Sequence, residues 1–199
     1  MKEKKKAHGI QLLIRAVVRD PDGKIITDTG NKPAKSFVIA FLKFIYGLFT
    51  APANVSVTET DGSSGYVYQS GQTTNNQFYV LQVGGYSQFG VVVGTGDTAE
   101  TNTDYQLETQ LTEGLGLGNI THGDVVVGPA AVVGANVDLE VKRVFTNLTG
   151  SSIVVKEAGI YTSFFEVGFH CIVRDVLSGT VTVPDKCSLT VIYTVRTTV

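Results

Sequence analysis

From Ala53 onward the chain is a succession of short apolar runs separated by turn-forming residues, and this pattern constrains the fold most. The run NVSVTET alternates with period two, and the stretches DGSSG, NLTGSS and LSGT interrupt later runs with Gly, Ser and Asn. Short alternating runs bounded by such residues are typical of β-strands. Roughly ten short strands with one or two helices predict a mainly β fold, a β-sandwich or jelly-roll-like domain.

Individual turns and strands can be assigned in the same way. The stretch IQLLIRAVVR-DPDGK-IITDTG predicts a strand, a tight turn and a second strand, because Pro presets φ and Gly allows the positive φ that such a turn needs. NLTGSS is expected to be the loop of a hairpin, and LSGT a turn. The last strand places Leu189, Val191, Tyr193 and Val195 on one face and Thr190, Ile192, Thr194 and Arg196 on the other.

Two segments predict helices. Residues 34–49 have apolar side chains at helical spacing after Ser36, a candidate N-cap, and so wide an apolar surface suits a helix buried against a sheet or between subunits. Residues 101–113 predict a short acidic helix. There Thr101 and Asp104 have capping-box spacing, Leu107 and Leu111 anchor one face, and Gly114 ends the helix.

Composition and charge favour one β-rich structural domain over residues 8–199, preceded by a basic tail over residues 1–7. Of the 199 residues 43% are apolar and 17% charged, which argues against disorder. The tail contains four Lys and one Glu, which leaves 12 Lys and Arg against 17 Asp and Glu elsewhere. We expect a solvated, flexible tail, and otherwise no nucleic-acid binding. The alternative is contact with acidic protein or nucleic acid through Lys2, Lys4, Lys5 and Lys6.

The sequence also bears on compartment. The first apolar run is broken by Gln11 and Arg15 and shows no secretory cleavage site, so we expect a soluble protein made in the cytoplasm. The longest apolar stretch, Ser36–Phe49, is interrupted by Lys43 and is shorter than the roughly 20 residues of a membrane span. Cys171 and Cys187 lie in apolar runs, which favours two buried free thiols over the alternative of a disulfide.

The turn Gly94-Thr95-Gly96 invites a phosphate-binding interpretation, which fails on its surroundings. A P-loop needs a Lys directly after its glycines, and no Lys lies between Lys43 and Lys142. A dinucleotide fingerprint needs a third glycine and an apolar helix, whereas acidic residues follow here and would repel a pyrophosphate. We interpret the turn as structural.

No other pattern predicts a catalytic, cofactor-binding or metal-binding residue, and we do not expect an enzyme. Glu100, Asp104 and Glu108 would lie on one face of a short helix, where three carboxylates cannot encircle an ion, so solvated surface is the expectation. The three histidines, His8, His122 and His170, have no paired ligand spacing. His170 and Cys171 are adjacent and so point to opposite faces of a strand.

Four segments, in order and at similar spacing, resemble small structural proteins of the virions of tailed bacteriophages and related archaeal viruses. They are DPDGKIITDTGNKPAKSFVIAFLKFIYGLF, GVVVGTGDTAETNTDYQLETQL, VFTNLTGSSIVVKEAGIY and CIVRDVLSGTVTVPDKCSLTVIYTVRTTV. In the first, Lys35-Ser36-Phe37 replaces the family's Asn-Ser-Phe-like helix entry. In the third, the matching residues are Phe145, Asn147, Ser152, Glu157 and Gly159.

The resemblance implies a non-enzymatic virion component, made in the host cytoplasm, without cofactor or small-molecule substrate. It would form homo-oligomers, dock on other virion proteins, or both, at a tail, neck, fibre base or capsid surface. Glu157, which is followed by Ala-Gly, is expected to accept hydrogen bonds from backbone donors in the Gly94-Thr95-Gly96 turn. The polar loop Tyr66–Val80 and the Lys tail are the predicted contact surfaces.

Two other classes remain as alternatives. A glycan- or surface-binding sandwich module would use clustered aromatic side chains, whereas this chain has no Trp and scattered Tyr residues. A self-polymerising filament subunit that exchanges strands would need export, which the absent signal sequence counts against.

Overall fold

In the computed structural model, the described residues, 9–34, 37–50, 55–67, 78–164 and 168–198, form a mainly β, antiparallel structure with one helix. The strands are β1 Gly9–Arg19, β2 Ile25–Asp28, β3 Lys32–Pro33, β4 Val55–Thr58, β5 Ser64–Val67, β6 Gly90–Gly94, β7 Thr121–Val127, β8 Ala131–Val133, β9 Asn136–Thr146, β10 Ile153–Phe164, β11 Gly168–Val183 and β12 Ser188–Thr198, and the helix is α1 Ile39–Thr50.

The strands form three sheets. A seven-stranded sheet has the order β2-β1-β12-β9-β7, with β3 beside β1 and β8 beside β9. A three-stranded sheet has the order β11-β10-β6, and β4 pairs with β5 alone. One hydrophobic cluster contains inward side chains of both larger sheets, among them Ile14, Leu189, Val92 and Val173. Burial of these side chains is the main contribution to stability.

Two predicted local features are confirmed. The turn DPDGK joins β1 and β2, which pair antiparallel, and Gly23 has the expected positive φ of 83°. The Asp20 carboxylate accepts hydrogen bonds from the N–H groups of Asp22 and Lys24, which close the turn. In β12 the predicted alternation holds from Leu189 to Tyr193, where Leu189, Val191 and Tyr193 are fully buried; beyond them it fails, because Thr194 is buried and Val195 is half-buried.

The predicted hairpin at NLTGSS is wrong. The strands on either side, β9 and β10, belong to different sheets, so the stretch is a corner that carries the chain from one sheet to the other. Asn147 holds this corner and is fully buried. Its Nδ2 donates to the Ser151 and Val183 carbonyls at 2.7 and 2.8 Å, and its Oδ1 accepts from Thr149. Turn-forming residues mark a change of direction, and these contacts decide where the chain goes next.

The predicted turn at LSGT is wrong as well. These residues lie inside β11, which continues through them to Val183. The register against β10 passes from Glu157↔Val176 to Val155↔Val181, so residues 177–180 bulge out of the pairing. The residues Ser178, Gly179 and Thr180 are accordingly exposed, as expected where extra residues leave a ladder.

The helix α1 begins at Ile39, within the region 34–49 for which the sequence predicts a helix; Ser36 lies outside the described residues. The later start has a cause in β11. Phe37 forms a β-bridge with Val173, and the Val38 N–H donates to the Ile172 carbonyl, so these residues are extended. The helix buries Ala40 and Phe44.

The predicted short acidic helix over residues 101–113 is wrong. This stretch forms turns and isolated bridges instead of a helix. Thr101 and Asp104 make the predicted capping contact, with the Thr101 N–H donating to the Asp104 carboxylate at 2.9 Å, but the turn is not continued. The chain then runs beside β6, where the Thr95 N–H donates to the Thr109 carbonyl and the Leu111 N–H to the Val93 carbonyl.

Candidate functional site

Arg174 on β11 is almost fully buried, together with Glu157 on β10. Arg174 lies opposite Gly159, two residues from Glu157 on the same strand, so both charged side chains share one face of the sheet. Arg174 Nε donates to Glu157 Oε2 at 3.1 Å. Burial of either charge without the other would cost several kcal/mol.

Glu157 is saturated by internal donors. Its Oε1 accepts from the N–H groups of Gly96 and Thr109 at 3.1 and 2.8 Å, and its Oε2 accepts from the Glu108 N–H at 3.0 Å as well as from Arg174. The bond from the Gly96 N–H is of the kind expected for Glu157, whereas its other two backbone donors belong to Glu108 and Thr109, outside Gly94-Thr95-Gly96. A fully buried carboxylate with four donors holds the irregular segment 95–113 against the sheet and presents no oxygen to a substrate.

Asp104 and Glu108 complete the surroundings of Arg174. The prediction that both are solvated surface is wrong for Asp104, which is half-buried, whereas Glu108 is exposed as predicted. Arg174 Nη1 donates to Asp104 Oδ2 at 2.7 Å, and Arg174 Nη2 donates to the Thr98 carbonyl at 3.1 Å. Glu108 Oε2 lies 3.9 Å from Nη2 and accepts from the Thr98 N–H. Glu100 accepts from the Val176 N–H at 3.0 Å.

The charges around Arg174 alter one another's protonation. Burial raises the pKa of Asp104, but hydrogen bonds from Thr101 and Arg174 outweigh burial and hold this pKa below its ordinary value. For Arg174, burial lowers the pKa, and the bonds to Asp104 and Glu157 more than compensate. Asp104 and Arg174 are therefore both ionised in the neutral range.

The two glycines of the turn are explained by their distance from the carboxylates. A Cβ on Gly94 would lie 2.5 Å from both Glu157 Oε1 and the Thr109 carbonyl oxygen, and a Cβ on Gly96 would lie 2.5 Å from the Glu108 Cβ. No side chain fits at such distances. Gly94-Thr95-Gly96 thus lies at the end of β6, where its two glycines leave room for an internal carboxylate.

Arg143 on β9 is a second buried arginine, and its partners are backbone carbonyls. Its Nε donates to the Gly123 carbonyl at 2.7 Å, and its Nη1 to those of Phe89 and Val91 at 3.2 Å each. Its Nη2 donates to the carbonyls of Val83 and Tyr86. Burial lowers the pKa of Arg143 to about 10. Arg143 thereby fastens residues 83–91, an irregular segment followed by the start of β6, to the seven-stranded sheet.

His122 lies in the same region. Its Nδ1 is 2.8 Å from the Ile120 carbonyl oxygen and 3.2 Å from Glu113 Oε2, which assigns the proton to Nδ1 in the neutral ring. Burial, and secondarily the charge of Arg143, lower the pKa of His122 to about 4. The imidazole is therefore neutral at pH 7, in van der Waals range of Phe145 with ring centroids 5.0 Å apart.

The remaining candidates from the sequence are dispersed. His170 is buried against Phe44, and burial lowers its pKa to about 4. Cys171 and Cys187 are both buried free thiols, as predicted. In the described part of the chain, no three side chains among His, Cys, Asp and Glu are grouped as a metal site requires. The Lys tail, His8 and most of the loop Tyr66–Val80 lie outside the described residues.

In comparisons with known proteins, the chain matches no protein-family model, no curated protein and no solved structure. Within the described residues, no helix has the length and apolar character needed to cross a membrane.

Sequence reasoning missed both arginines. The available signal was an Arg in the middle of an otherwise apolar strand pattern, as at Arg143 and Arg174, since such a residue on a core-facing position must find buried partners.

Proposed function

We propose that this protein is a non-enzymatic structural component of a virion that works by assembling with copies of itself, by docking on other virion proteins, or both. The supporting observation is the internal use of its most distinctive polar residues. Glu157 and Arg174 are buried and bound to each other and to the backbone. Such groups stabilise a shape and have no free position for a substrate.

Three of the four segments that resemble virion proteins meet in this network. Gly96, Asp104 and Glu108 come from the second segment, Glu157 from the third and Arg174 from the fourth. These three segments therefore share one internal junction, in which a loop is held on a three-stranded sheet. This is the behaviour we expect of motifs that preserve a building block. The assignment to a virion is itself supported by the sequence resemblance.

The finer architecture belongs to the same proposal. We infer that the two larger sheets form a sandwich, and that α1 is the N-terminal apolar helix of this class. Ile39 and Leu42 on α1 are exposed although apolar, which suits a helix between a sheet and a neighbouring subunit. The jelly-roll connection pattern stays a prediction. The location of the protein in a virion, after its synthesis in the host cytoplasm, also stays a prediction.

Electron microscopy of the purified full chain, paired with a glycan array, tests the proposal. We expect regular rings, tubes or other closed particles built from the 21.3 kDa chain, and no glycan binding. Isolated single chains that bind defined glycans would overturn the proposal in favour of a binding module.

A further inference from the structure

A buried histidine lies beneath the helix α1. The helix buries Ala40 and Phe44, and the ring of Phe44 meets the ring of His170 on β11 edge-on, with ring centroids 5.4 Å apart. Only 3% of His170 is exposed. Phe44 is therefore part of the cover that separates this imidazole from water.

The imidazole of His170 has no polar contact that compensates for its burial. Among the described residues, neither its Nδ1 nor its Nε2 has a hydrogen-bond partner. A ring placed in this way is stable in its neutral form, because an unpaired cation is strongly disfavoured away from water. Burial accordingly lowers the pKa of His170 from its ordinary 6.5 to about 4.

The charged side chains of the elements around His170 are engaged elsewhere. Lys43, the one charged residue of α1, donates to the Ser56 carbonyl at 2.7 Å. The charged side chains on the neighbouring described strands and after β4 have contacts of their own, which are Lys156 with Asp97, Glu157 with Arg174, Asp175 with Tyr193, and Glu59 beside Gly168. Because burial is the cause of the lowered pKa of His170, access of water to the ring decides its protonation.

The attachments of α1 differ from those of the strands around His170. An antiparallel ladder joins β10 and β11 on both sides of this residue. The described backbone bonds from α1 to the rest of the chain lie at its start, where the Val38 N–H donates to the Ile172 carbonyl at 3.3 Å and the Ile39 N–H to the Asn102 carbonyl at 2.8 Å. Moving α1 would therefore admit water to the imidazole without breaking the three-stranded sheet.

We propose that protonation of His170 releases α1 from β11 while both larger sheets stay folded. The neutral ring favours the attached helix above pH 6.5. The attachment weakens as the pH falls from 6.5 to 4, because an uncovered ring binds a proton more tightly than the covered one. Release would expose Ala40 and Phe44 in addition to Ile39 and Leu42, which are exposed already. The inference does not depend on the proposed function.

Native-state hydrogen exchange of the full chain at pH 7 and pH 5, corrected for the intrinsic exchange rate, tests the release. With the ordinary pKa for the uncovered ring and about 4 for the covered ring, the opening constant of the α1 amides should rise about twentyfold from pH 7 to pH 5. His170→Leu should reduce this rise to within about twofold, because leucine takes up no proton.

His122→Asn is the matched control. The pKa of His122 is also lowered to about 4, but its ring lies against Phe145 on β9 and not against α1. The rise in the opening constant of α1 should therefore remain in this variant. The same rise in His170→Leu as in the wild type would overturn the proposal. So would α1 amides that exchange at the same rate as those of β12, because the helix would then open only with the whole fold.

Titration of the His170 ring by NMR spectroscopy tests the cover itself. Phe44→Ala removes the aromatic ring that lies against the imidazole, so the pKa of His170 should rise from about 4 towards 6.5. Leu42→Ala changes an exposed position of the same helix and should leave the pKa of His170 as it is in the wild type. An unchanged pKa of His170 in Phe44→Ala would overturn the role of α1 as its cover.

Discussion

Arg174 and Arg143 are both buried in the same fold, yet carboxylates surround the first and backbone carbonyls surround the second. Arg174 contacts Glu157 and Asp104 at 3.1 and 2.7 Å, whereas the five hydrogen bonds of Arg143 all go to carbonyl oxygens. Each arginine fastens one irregular segment to a sheet, residues 95–113 and 83–91. The comparison teaches that a buried cation can be held by opposite charges or by oriented backbone dipoles. Breaking the two networks should therefore change the stability of the protein in different ways.

The largest effect is expected from Glu157→Gln. The amide would keep the shape but place an NH₂ group against donors, and it would remove the charge beside Arg174. We expect a loss of about 3–5 kcal/mol in the free energy of unfolding, measured by urea denaturation. Glu140→Gln on the exposed outer face is the control and should change stability by less than about 0.5 kcal/mol. Equal costs for the two variants would show that the network contributes nothing.

Arg143→Met tests the dipole solution. It removes the buried cation and leaves several carbonyls without a donor, at about 1–3 kcal/mol for each group that stays dry and unpaired. We expect a total loss of about 2–4 kcal/mol by urea denaturation, with hydrogen exchange faster in residues 83–91 than in 95–113. The control is Arg19→Met, since Arg19 makes one surface bond to Gly23. Uniformly faster exchange in both segments would contradict the division into two regions.

Acid should loosen the Arg143 region first. The pKa of His122 is about 4 in the folded chain, below the ordinary 6.5, so the unfolded chain takes up a proton first as the pH falls. The stability contributed by the neutral ring is complete above pH 6.5 and is lost between pH 6.5 and 4. The lowered pKa of Asp104 puts the loss of the Arg174 network at lower pH, below the ordinary carboxylate range.

Urea denaturation across this pH range measures the difference. Replacing the ring by His122→Asn should remove up to about 3 kcal/mol of the pH-dependent change between pH 6.5 and 4. His170→Leu provides the comparison, because His170 has a similarly lowered pKa but lies against α1. His170→Leu should reduce the pH dependence of the global free energy of unfolding, without protecting residues 83–91 against local opening in acid. An unchanged slope in both variants would contradict the neutral buried state of these rings.

The smallest of these effects concerns the turn that admits Glu157. Gly96→Ala would place a Cβ 2.5 Å from the Glu108 Cβ and 2.7 Å from Glu157 Oε1. We expect a cost of about 1–3 kcal/mol by urea denaturation, as for an overpacked core. Gly116→Ala is the control, because a Cβ there meets nothing within 4 Å. A tolerated Gly96→Ala would mean that segment 95–113 moves away at no cost.

Residue type and spacing predicted those parts of the fold that depend on contacts between residues close together in the chain. The DPDGK turn, the alternation of β12 and the burial of Leu107 and Leu111 follow from residue type and spacing. The acidic helix failed because the N–H groups of Glu108 and Thr109, which a helix would use internally, donate to Glu157 on a distant strand. A carboxylate at 48 residues' separation from Thr109 leaves no mark on a helical pattern.

Only part of the candidate site could be predicted from the sequence. Glu157 stood out through its Glu-Ala-Gly context, and its bond to Gly96 was foreseen in kind. Arg143 was not foreseen, because backbone carbonyls have no sequence signature. The corner at Asn147 was mistaken for a hairpin for a similar reason, since turn formers do not reveal which sheet the next strand joins.

The measurement that tests the central claim most directly is the molar mass of the purified full chain by light scattering, over a wide concentration range. A self-assembling structural protein should give a mass above 21.3 kDa, either a fixed multiple of it or a mass that grows with concentration. A mass of 21.3 kDa at every concentration would contradict self-assembly.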